Sequence, residues 1–494
     1  MREVVSSRSA GELAALLGDW PTGDGPLYVK LTEALRRTIN GGTLAVGERL
    51  PSERALAAAL AVSRTTVVTA YGDLRSEGLL DSVRGSGTRV SPALAPARPD
   101  GWVPGGRGHA LFQGILDGSD NVISLACMRS EGLPEVADAI RDVANEDLPA
   151  LMADDGYYPR GLLALRRAIA ERYTAEGLST RPDQIVVTTG AHQAIALVSS
   201  LYVRNGAPVV VESPGFGGCM EVLRAEGAEF VSIPMDQHGI DTVRLREAAR
   251  ERTPHLIYVM PEYHNPTGTQ MTPARRREVA EIAARSGVPI VEDFAYTGLR
   301  APEEYPPIAA YAPRGAEVVV VGSLCKTSWA GLRVGWLRAP VEIAERLARR
   351  KVLADLGTPL LDQAVAVRLL SQLDELARKR SDLLSARMAF VEERLRAALP
   401  DWEWRRPDGG SSLWIRMPDT DASVFAQVAL RHGVELVPGP AMTPEHDADF
   451  SSFFRLPFGH DEETLEELVS RLARAWSDLS RHGPCEETPL QLVV

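Results

Sequence analysis

One lysine stands in a setting that could support covalent chemistry. Lys326 follows an apolar run over 318–321 that predicts a buried strand, with Ser323 three residues before the lysine and Arg333 seven after it. A semi-buried lysine amine can form a Schiff base with an aldehyde cofactor. A hydroxyl and a guanidinium beside it can bind that cofactor's phosphate. A solvated loop lysine is the ordinary alternative, and the neighbouring Ser and Arg argue against it.

Three polar side chains upstream could act on the same cofactor. Asp293 follows a predicted strand over 288–291, where a carboxylate can lie against a pyridinium nitrogen and keep it protonated. Tyr296 can donate a hydrogen bond to the ring's phenolic oxygen, and Asn265, after a predicted strand over 256–260, is a second donor. An isolated Asp after a strand is more often a helix cap.

Two further segments follow predicted strands. The turn after strand 185–188 opens a helix, whose backbone N–H groups could cradle a phosphate. The residues of this turn are Thr189, Gly190, Ala191 and His192. Phe216, after strand 209–211, could stack on the cofactor ring, with a core aromatic as the alternative.

The elements that must position these groups alternate between strands and helices. Such alternation, for example strand 256–260 and helix 274–286, predicts an α/β fold with a mainly parallel sheet covered by helices. After position 361 the pattern changes and predicts a smaller α+β unit. Its expected elements are a long helical stretch to about 399, short segments over 412–417, 434–437 and 453–456, and a closing helix over 462–477.

The N-terminal region has a different pattern, typical of a winged helix-turn-helix. The predicted helices run over 28–40, from a Ser52 cap through 60, and over 64–76 after a Ser63 cap; strands over 79–83 and 88–91 flank a turn at 84–87. A recognition helix needs a small, polar first turn to approach bases and phosphates. The candidate DNA contacts are Arg54, Ser63, Arg64, Thr65, Thr66, and the wing residues Gly85, Ser86 and Gly87. A protein-interaction module is the alternative.

Composition limits the class of protein. The net charge of −12 argues against a chain-wide nucleic-acid or membrane surface, whereas residues 25–90 alone carry +3. Four cysteines without a C-x-x-C pair predict neither a disulfide scaffold nor a metal site. No apolar run approaches the length of a membrane span, so we expect a cytoplasmic protein without a membrane segment.

The N-terminal run LPSERALAAALAVSRTTVVTAYGDLRSEGLLDSVRGSGTRV resembles the GntR-type winged helix. The resemblance implies that the candidate residues above contact double-stranded DNA. From about 122 to 480 the motifs, including GLLALRRAIAERY, resemble the fold type I pyridoxal-phosphate (PLP) enzymes of the aspartate aminotransferase class. That resemblance implies Lys326 as the Schiff-base lysine, Asp293 as the pyridine partner and Arg455 as a clamp for a substrate carboxylate.

The order of the two parts resembles the MocR/GabR family of transcriptional regulators. The expected divisions are an extension over 1–24, a winged helix over 25–91, a Pro/Gly-rich linker over 92–120, a PLP-binding domain over 121–480 with a small part over about 371–480, and a tail over 481–494. The resemblance implies a homodimer and an amine or amino-acid effector such as GABA or taurine, or PLP itself as the signal. It also implies a tyrosine that reaches the partner's phosphate, for which Tyr157 and Tyr158 are both candidates. A working aminotransferase, or a C-terminal domain that only dimerises, are the alternatives.

Overall fold

The computed structural model describes residues 8–22, 25–41, 43–45, 47–83, 87–91, 122–128, 131–296, 305–444 and 448–482. The expected wing residues Gly85 and Ser86, the expected linker over 92–120 and the tail from 483 onward lie outside the described residues.

The N-terminal unit, residues 8–91, has the predicted helices and hairpin. Its elements are α1 (Ala10–Leu16), α2 (Leu27–Asn40), α3 (Glu53–Ala59), α4 (Arg64–Ser76), β1 (Leu80–Val83) and β2 (Gly87–Val90). The predicted caps are confirmed, since the side chains of Ser52 and Ser63 accept hydrogen bonds from backbone N–H groups of α3 and α4. β1 and β2 pair antiparallel as the wing.

α1 is an addition to the predicted elements. Ser9 and Glu12 form a capping box at its start, a signal that is visible in the sequence. Leu13, Leu17 and Trp20 are buried in the same apolar core as the helices of the winged helix. The described part of the N-terminal extension is therefore packed onto the unit that follows it.

The large unit is a helix-covered sheet. Its elements are β3 (Ile123–Ser124), α5 (Pro134–Asp142), α6 (Leu148–Met152), α7 (Leu163–Ala175), β4 (Ile185–Thr188), α8 (Ala191–Tyr202), β5 (Ala207–Ser213), α9 (Gly217–Ala225), β6 (Ala228–Asp236), β7 (Gly239–Ile240), α10 (Thr242–Glu251), β8 (Leu256–Val259), α11 (Pro273–Ser286), β9 (Ile290–Phe294), α12 (Ile308–Tyr311), β10 (Val318–Ser323), β11 (Gly335–Arg338), α13 (Val341–Asp355) and α14 (Leu360–Leu370).

Within the described residues, eight strands form the sheet in the order β4-β11-β10-β9-β8-β5-β6-β7. The pairs from β10 through β9, β8 and β5 to β6 are parallel, whereas β11 runs antiparallel to both neighbours. The mainly parallel sheet is therefore confirmed. The sequence did not reveal β6, whose residues are mostly partly exposed, or β11, which is short and carries Gly, Trp and Arg.

One predicted strand boundary is wrong in a way that affects the site. The strand expected over 288–291 runs from Ile290 to Phe294, so Asp293 lies inside it rather than after it. Asp293 remains in the sheet because it pairs with Val321 of β10. Its backbone is fixed by the ladder, which holds the carboxylate more rigidly than a loop would.

The C-terminal subdomain, residues 373–482, is the predicted α+β unit. Its elements are α15 (Leu373–Ala398), β12 (Glu403–Trp404), β13 (Ser412–Arg416), α16 (Ala422–Arg431), β14 (Val434–Glu435), β15 (Val437–Pro438), β16 (Phe453–Pro457) and α17 (Glu462–His482). The helical stretch predicted from 361 to 399 is two helices, α14 and α15, that break between them. α16 was not predicted. β13, β16 and β15 pair antiparallel, and β14 pairs with β3.

Candidate cofactor site and DNA-reading surface

Lys326 lies in the turn directly after β10, at the edge of the sheet where the parallel strands end. Open α/β sheets bind ligands outside the carboxyl ends of their strands. Burial lowers the pKa of the Lys326 amine, and the charge of Arg455 adds to this effect while Asp293 opposes it. A lowered lysine pKa increases the neutral, nucleophilic fraction of the amine.

Asp293 is fully buried and holds two hydrogen bonds. The hydroxyl of Tyr258 donates to Oδ2 at 2.7 Å, and the backbone N–H of Ala295 donates to Oδ1 at 2.8 Å. Burial raises the pKa of Asp293, and these two donors together with Lys326 limit the rise. Burial disfavours the ionised form of this carboxylate. A cation placed against it would stabilise that form and lower the pKa again.

The other two predicted ring donors lie where the large unit meets the C-terminal subdomain. The hydroxyl of Tyr296 is 2.8 Å from Oγ of Ser411, and Nη1 of Arg455 donates to Oδ1 of Asn265 at 3.3 Å. Each contact joins one residue of the large unit to one of the subdomain. The candidate site therefore lies between two units, a common place for ligand sites.

Arg455 is buried beside these residues. Its Nη2 donates to the carbonyl oxygen of Leu125 at 2.9 Å and also to that of Ala126. Its Nε has no hydrogen-bond partner among the described atoms. Because a buried, incompletely paired guanidinium is costly, this position favours the binding of an anionic group.

The predicted phosphate-binding turn precedes α8. Gly190 is the N-cap of this helix, with φ at +102°, and no side chain caps the helix. Nη2 of Arg333 donates to the carbonyl oxygen of Thr189 at 2.8 Å. A Cβ on Gly190 would lie 2.9 Å from that nitrogen, so a larger residue would displace the guanidinium. Ala191 and His192 form the first turn of the helix, whose backbone N–H groups point along the helix axis towards the N-terminal end.

These features fit a phosphorylated aldehyde. An uncapped helix N-terminus, the exposed Arg333 and the buried Ser323 hydroxyl can serve a phosphate, while the Arg455 Nε can serve a carboxylate. Phe216 is half-buried with its ring over Gly218, where a Cβ would lie 2.6 Å from the ring. Its stacking on a cofactor stays a prediction. Among the described residues, no group of three or more His, Cys, Asp or Glu could hold a metal ion.

Several residues that support the site are not marked by any local sequence pattern. Tyr258 is the penultimate residue of β8, and its register with Val291 places it on the same side of the sheet as Asp293. The two-residue periodicity of neighbouring strands is the signal that could have revealed it. Ser411 and the carbonyl of Leu125 are distant in sequence, and no local pattern points to them.

The predicted DNA contacts lie at the start of α4 and beside it. Ser63, Arg64 and Thr65 are exposed, as is Arg54 on α3. Thr66 is partly buried, and its hydroxyl is 2.9 Å from Oγ of Ser63 within the helix cap. These two hydroxyls therefore already take part in hydrogen bonds within the helix cap.

A further basic residue, from the segment before α3, lies against the wing. Gly87 opens β2, and a Cβ at that position would lie 3.0 Å from Nε of Arg49. The exposed Arg49 therefore lies against the start of β2. Arg75 of α4 donates to Oγ of Ser82 at 2.9 Å, which joins α4 to the hairpin.

The N-terminal unit contacts the C-terminal subdomain directly. The indole N–H of Trp20 donates to Oε1 of Gln427 at 3.1 Å, and both side chains are buried. Nη1 of Arg431 donates to the carbonyl oxygen of Leu60 at 3.2 Å. Ala61, in the turn between α3 and α4, packs against the subdomain's core. The turn of the helix-turn-helix is therefore in contact with α16 and the core behind it.

Comparison with known families accounts for both parts of the chain. Residues 27–90 match the gntR family of bacterial regulatory proteins, and residues 128–472 match aminotransferase class I and II. The uncharacterised HTH-type transcriptional regulator YisV of Bacillus subtilis is 30% identical over 91% of this chain and 96% of its own length. The chain belongs to the MocR-type family of transcriptional regulators.

Further relatives of this MocR-type regulator fall into two groups. The HTH-type transcriptional regulator YdcR of Escherichia coli is 28% identical over 90% of this chain and 98% of its own length. Among solved structures, the α-aminoadipate aminotransferase LysN of Thermus thermophilus, complexed with N-(5'-phosphopyridoxyl)-L-leucine, matches with a TM-score of 0.67 and 27% identity over 76% of this chain and 98% of its own. The fold type I architecture of the regulator's large unit and C-terminal subdomain follows from that match.

Proposed function

We propose that this MocR-type regulator binds PLP on Lys326 and an operator through its N-terminal unit, and that the occupant of the cofactor site controls operator binding. One observation carries the proposal. The turn of the helix-turn-helix is seated on α16, which belongs to the same subdomain as Arg455, the candidate effector clamp. A change at the clamp can therefore reach the DNA-binding unit through the subdomain that both contact.

The cofactor would be held by residues on both units. PLP, when bound, supplies an aldehyde carbon that a lysine amine can hold covalently and that an incoming amine can take over. The neutral fraction of Lys326 makes it the nucleophile, and Asp293 would hold a proton on the ring nitrogen. Asn265 and Tyr296 would donate to the ring oxygen, and Phe216 would stack. The phosphate set would be Ser323, Arg333, Thr189, Gly190, Ala191 and His192.

The effector would be an amine that also carries an anionic group. Arg455 offers the buried Nε that lacks a partner among the described atoms, and its contact with Asn265 places it beside the cofactor residues. A carboxylate or sulfonate bound to this guanidinium would accept a hydrogen bond from Nε and would lie beside the cofactor residues. An amino acid, or PLP alone, would then change how the subdomain closes on the large unit. Regulation requires that this occupant bind one arrangement more tightly than the other.

The operator would be read by Arg54, Ser63, Arg64, Thr65 and Thr66, with the wing at Gly85, Ser86 and Gly87. The exposed Arg64 can contact guanine bidentately, and the hydroxyls can contact phosphates. As a DNA-binding protein it would act in the cytoplasm. In the described part of the chain, no helix is long and apolar enough to cross a membrane.

A homodimer is supported by an exposed apolar face. Met152 is 75% exposed, Tyr157 66% and Leu353 88%, and Leu356 and Leu361 are each about half exposed. Exposed apolar side chains in such number on neighbouring segments are typical of interaction surfaces. The hydroxyl of Tyr158 donates to Asp154, so the exposed Tyr157 is the better candidate to reach a partner's phosphate.

A selection experiment tests this function. Genomic fragments would be selected on the wild-type protein and on Lys326→Ala, each with and without added PLP. We expect one operator class for the wild type, with a recovery that changes with PLP, and no PLP response for the variant. Selection of the same fragments with the same recovery in all four cases would contradict control by the cofactor.

Aminotransferase activity is the second candidate function. The similarity to 2-aminoadipate transaminase of Thermus thermophilus, 30% identical over 65% of this chain and 83% of that one, favours it, together with the presence of Lys326, Asp293 and Arg455. Multiple-turnover keto-acid formation that is abolished in Lys326→Ala would support it. Absence of turnover with a broad panel of amines would leave the regulatory function alone.

A further inference from the structure

A buried lysine lies away from the residues assigned above. Lys351, one turn before the end of α13, has no exposed side-chain surface. Its Nζ donates to both carboxylate oxygens of Asp355 at 2.8 Å and to Oε1 of Gln193 at 2.9 Å. The three contacts match the three donors of an ammonium group. Burial lowers the pKa of Lys351, and Asp355 opposes this by stabilising the charge.

Gln193 connects this pair to the phosphate-binding turn. Its Oε1 also accepts from the backbone N–H of Thr189 at 2.9 Å, and its Nε2 donates to Oδ2 of Asp355 at 2.6 Å. The amide is therefore fixed in one orientation. The peptides of Thr189 are held on both sides, since its N–H contacts Gln193 and its carbonyl accepts from Arg333 at 2.8 Å.

Asp355 connects the same network to the apolar face. Its Oδ1 accepts from the backbone N–H of Gly357 at 3.0 Å, which fixes the segment between α13 and α14. This segment carries the exposed Leu356 and is preceded by the exposed Leu353. Asp355 is also one-quarter exposed, so the network ends at the surface of that face.

We propose that Lys351, Gln193 and Asp355 are positioning residues that couple the phosphate-binding turn to the face on which a second copy of the chain docks. The inference rests on the proposed function, because it takes PLP and a second copy as the two ligands. A phosphate bound at the turn would fix the Thr189 peptides. The hydrogen bonds through Gln193, Lys351 and Asp355 would then also restrict the backbone at Gly357. Docking of the second copy fixes the same contacts from the other end. Each event lowers the cost of the other, and the coupling is reciprocal.

A pair of cofactor forms separates this role from a purely structural one. PLP and pyridoxal differ only in the phosphate, and their affinities would be measured for wild type, Gln193→Ala and Lys351→Met. We expect Gln193→Ala and Lys351→Met to weaken PLP roughly fivefold, as for loss of about one hydrogen bond, without changing pyridoxal. Arg350→Met is the matched control, because Arg350 lies on the same helix but donates to Ser200 instead.

The second measurement is the dimer dissociation constant by sedimentation equilibrium, with no ligand, with PLP and with pyridoxal. PLP should tighten the wild-type dimer more than pyridoxal does, and this difference should disappear in Gln193→Ala. The inference would be overturned if the variants lost equal affinity for PLP and pyridoxal. It would also be overturned if PLP still tightened the Gln193→Ala dimer more than pyridoxal does, by as much as in the wild type. If wild type binds neither form, the proposed function fails instead. If Lys351→Met shows no cooperative thermal unfolding, the measurements on Gln193→Ala decide the outcome.

Discussion

The guanidinium of Arg431, at the end of α16, donates to the carbonyl oxygen of Leu60 at a distance of 3.2 Å. Leu60 is the C-cap of α3, so the cation lies where the helix dipole is negative. Burial lowers the pKa of Arg431, and Asp478 opposes this shift. The contact fixes the end of α3 just before the turn that leads into α4.

Arg431→Ala should uncouple the two units while leaving the DNA-binding surface intact. Arg64 and Thr65 are exposed and do not depend on this contact, so operator affinity without effector should change little. The effector-dependent change in affinity, for which about 1–3 kcal/mol of coupling would give a roughly 5–150-fold effect, should shrink. Fluorescence anisotropy would measure both. Arg474→Ala, an exposed position on α17, is the control. A full effector response in Arg431→Ala would show that the signal takes another route.

Arg64→Ala should reduce specific operator binding. Loss of one bidentate contact to guanine costs about 1–3 kcal/mol, a roughly 5–150-fold weaker affinity, whereas binding to unrelated DNA should weaken far less. Both affinities would be measured by gel shift at one fixed salt concentration. If the specific affinity is unchanged, α4 is not the recognition helix.

Lys326→Ala should remove covalent attachment of PLP. Borohydride treatment of the wild type incubated with PLP should give one modified peptide that contains residue 326, and mass spectrometry would identify it. The variant should give no modified peptide in that segment. A control, Lys379→Ala, removes a partly exposed lysine that pairs with Glu135 and should not change the labelling. Labelling of another single lysine would place the cofactor elsewhere.

The local part of the site could be predicted from sequence. Ser323, Lys326 and Arg333 are close along the chain, so their spacing after a strand indicates their joint use. Ser52 and Ser63 likewise fix the helix starts through contacts within three residues. The predictions of roles for these residues follow from that local information.

The remaining part depends on contacts between distant segments. Tyr258 meets Asp293 only through strand register, and Gln193 meets Lys351 only through the packing of α8 against α13. Trp20 looked like part of an extension, and its burial against Gln427 depends on how the N-terminal unit sits on α16. No pattern in one segment contains such information.

Glu212→Gln should flatten the pH dependence of stability in the cofactor-free protein. Glu212 is buried on β5, where burial raises its pKa from 4.5 to about 8; the backbone N–H of Met260 donates to it at 2.7 Å. Between these values the folded form holds a proton that the unfolded form releases. Stability should therefore fall as pH rises through this window, by about 1.4 kcal/mol per pH unit for one proton.

Melting temperatures between pH 5 and about pH 8 would measure this slope. The side-chain amide in Glu212→Gln has no proton to lose in this range, so the slope should decrease. It should not vanish, because burial also raises the pKa of Glu292 to about 7. Glu247→Gln, at an exposed position, should behave as wild type. An unchanged slope in Glu212→Gln would mean that Glu212 is ionised in the folded protein at neutral pH.

Control of DNA binding by the occupant of the Lys326 site can be measured directly. The most direct test is a fluorescence-anisotropy titration of the wild-type protein on DNA from upstream of its own gene. It would be run at fixed salt without PLP, with PLP, and with PLP plus a panel of amino acids and sulfonates. Phosphate contacts make affinity steeply dependent on salt, so the salt must not vary. We expect operator affinity or stoichiometry to change with PLP or with one PLP–amine pair, and we expect no such change in Lys326→Ala. Specific binding that is identical under every condition would contradict such control.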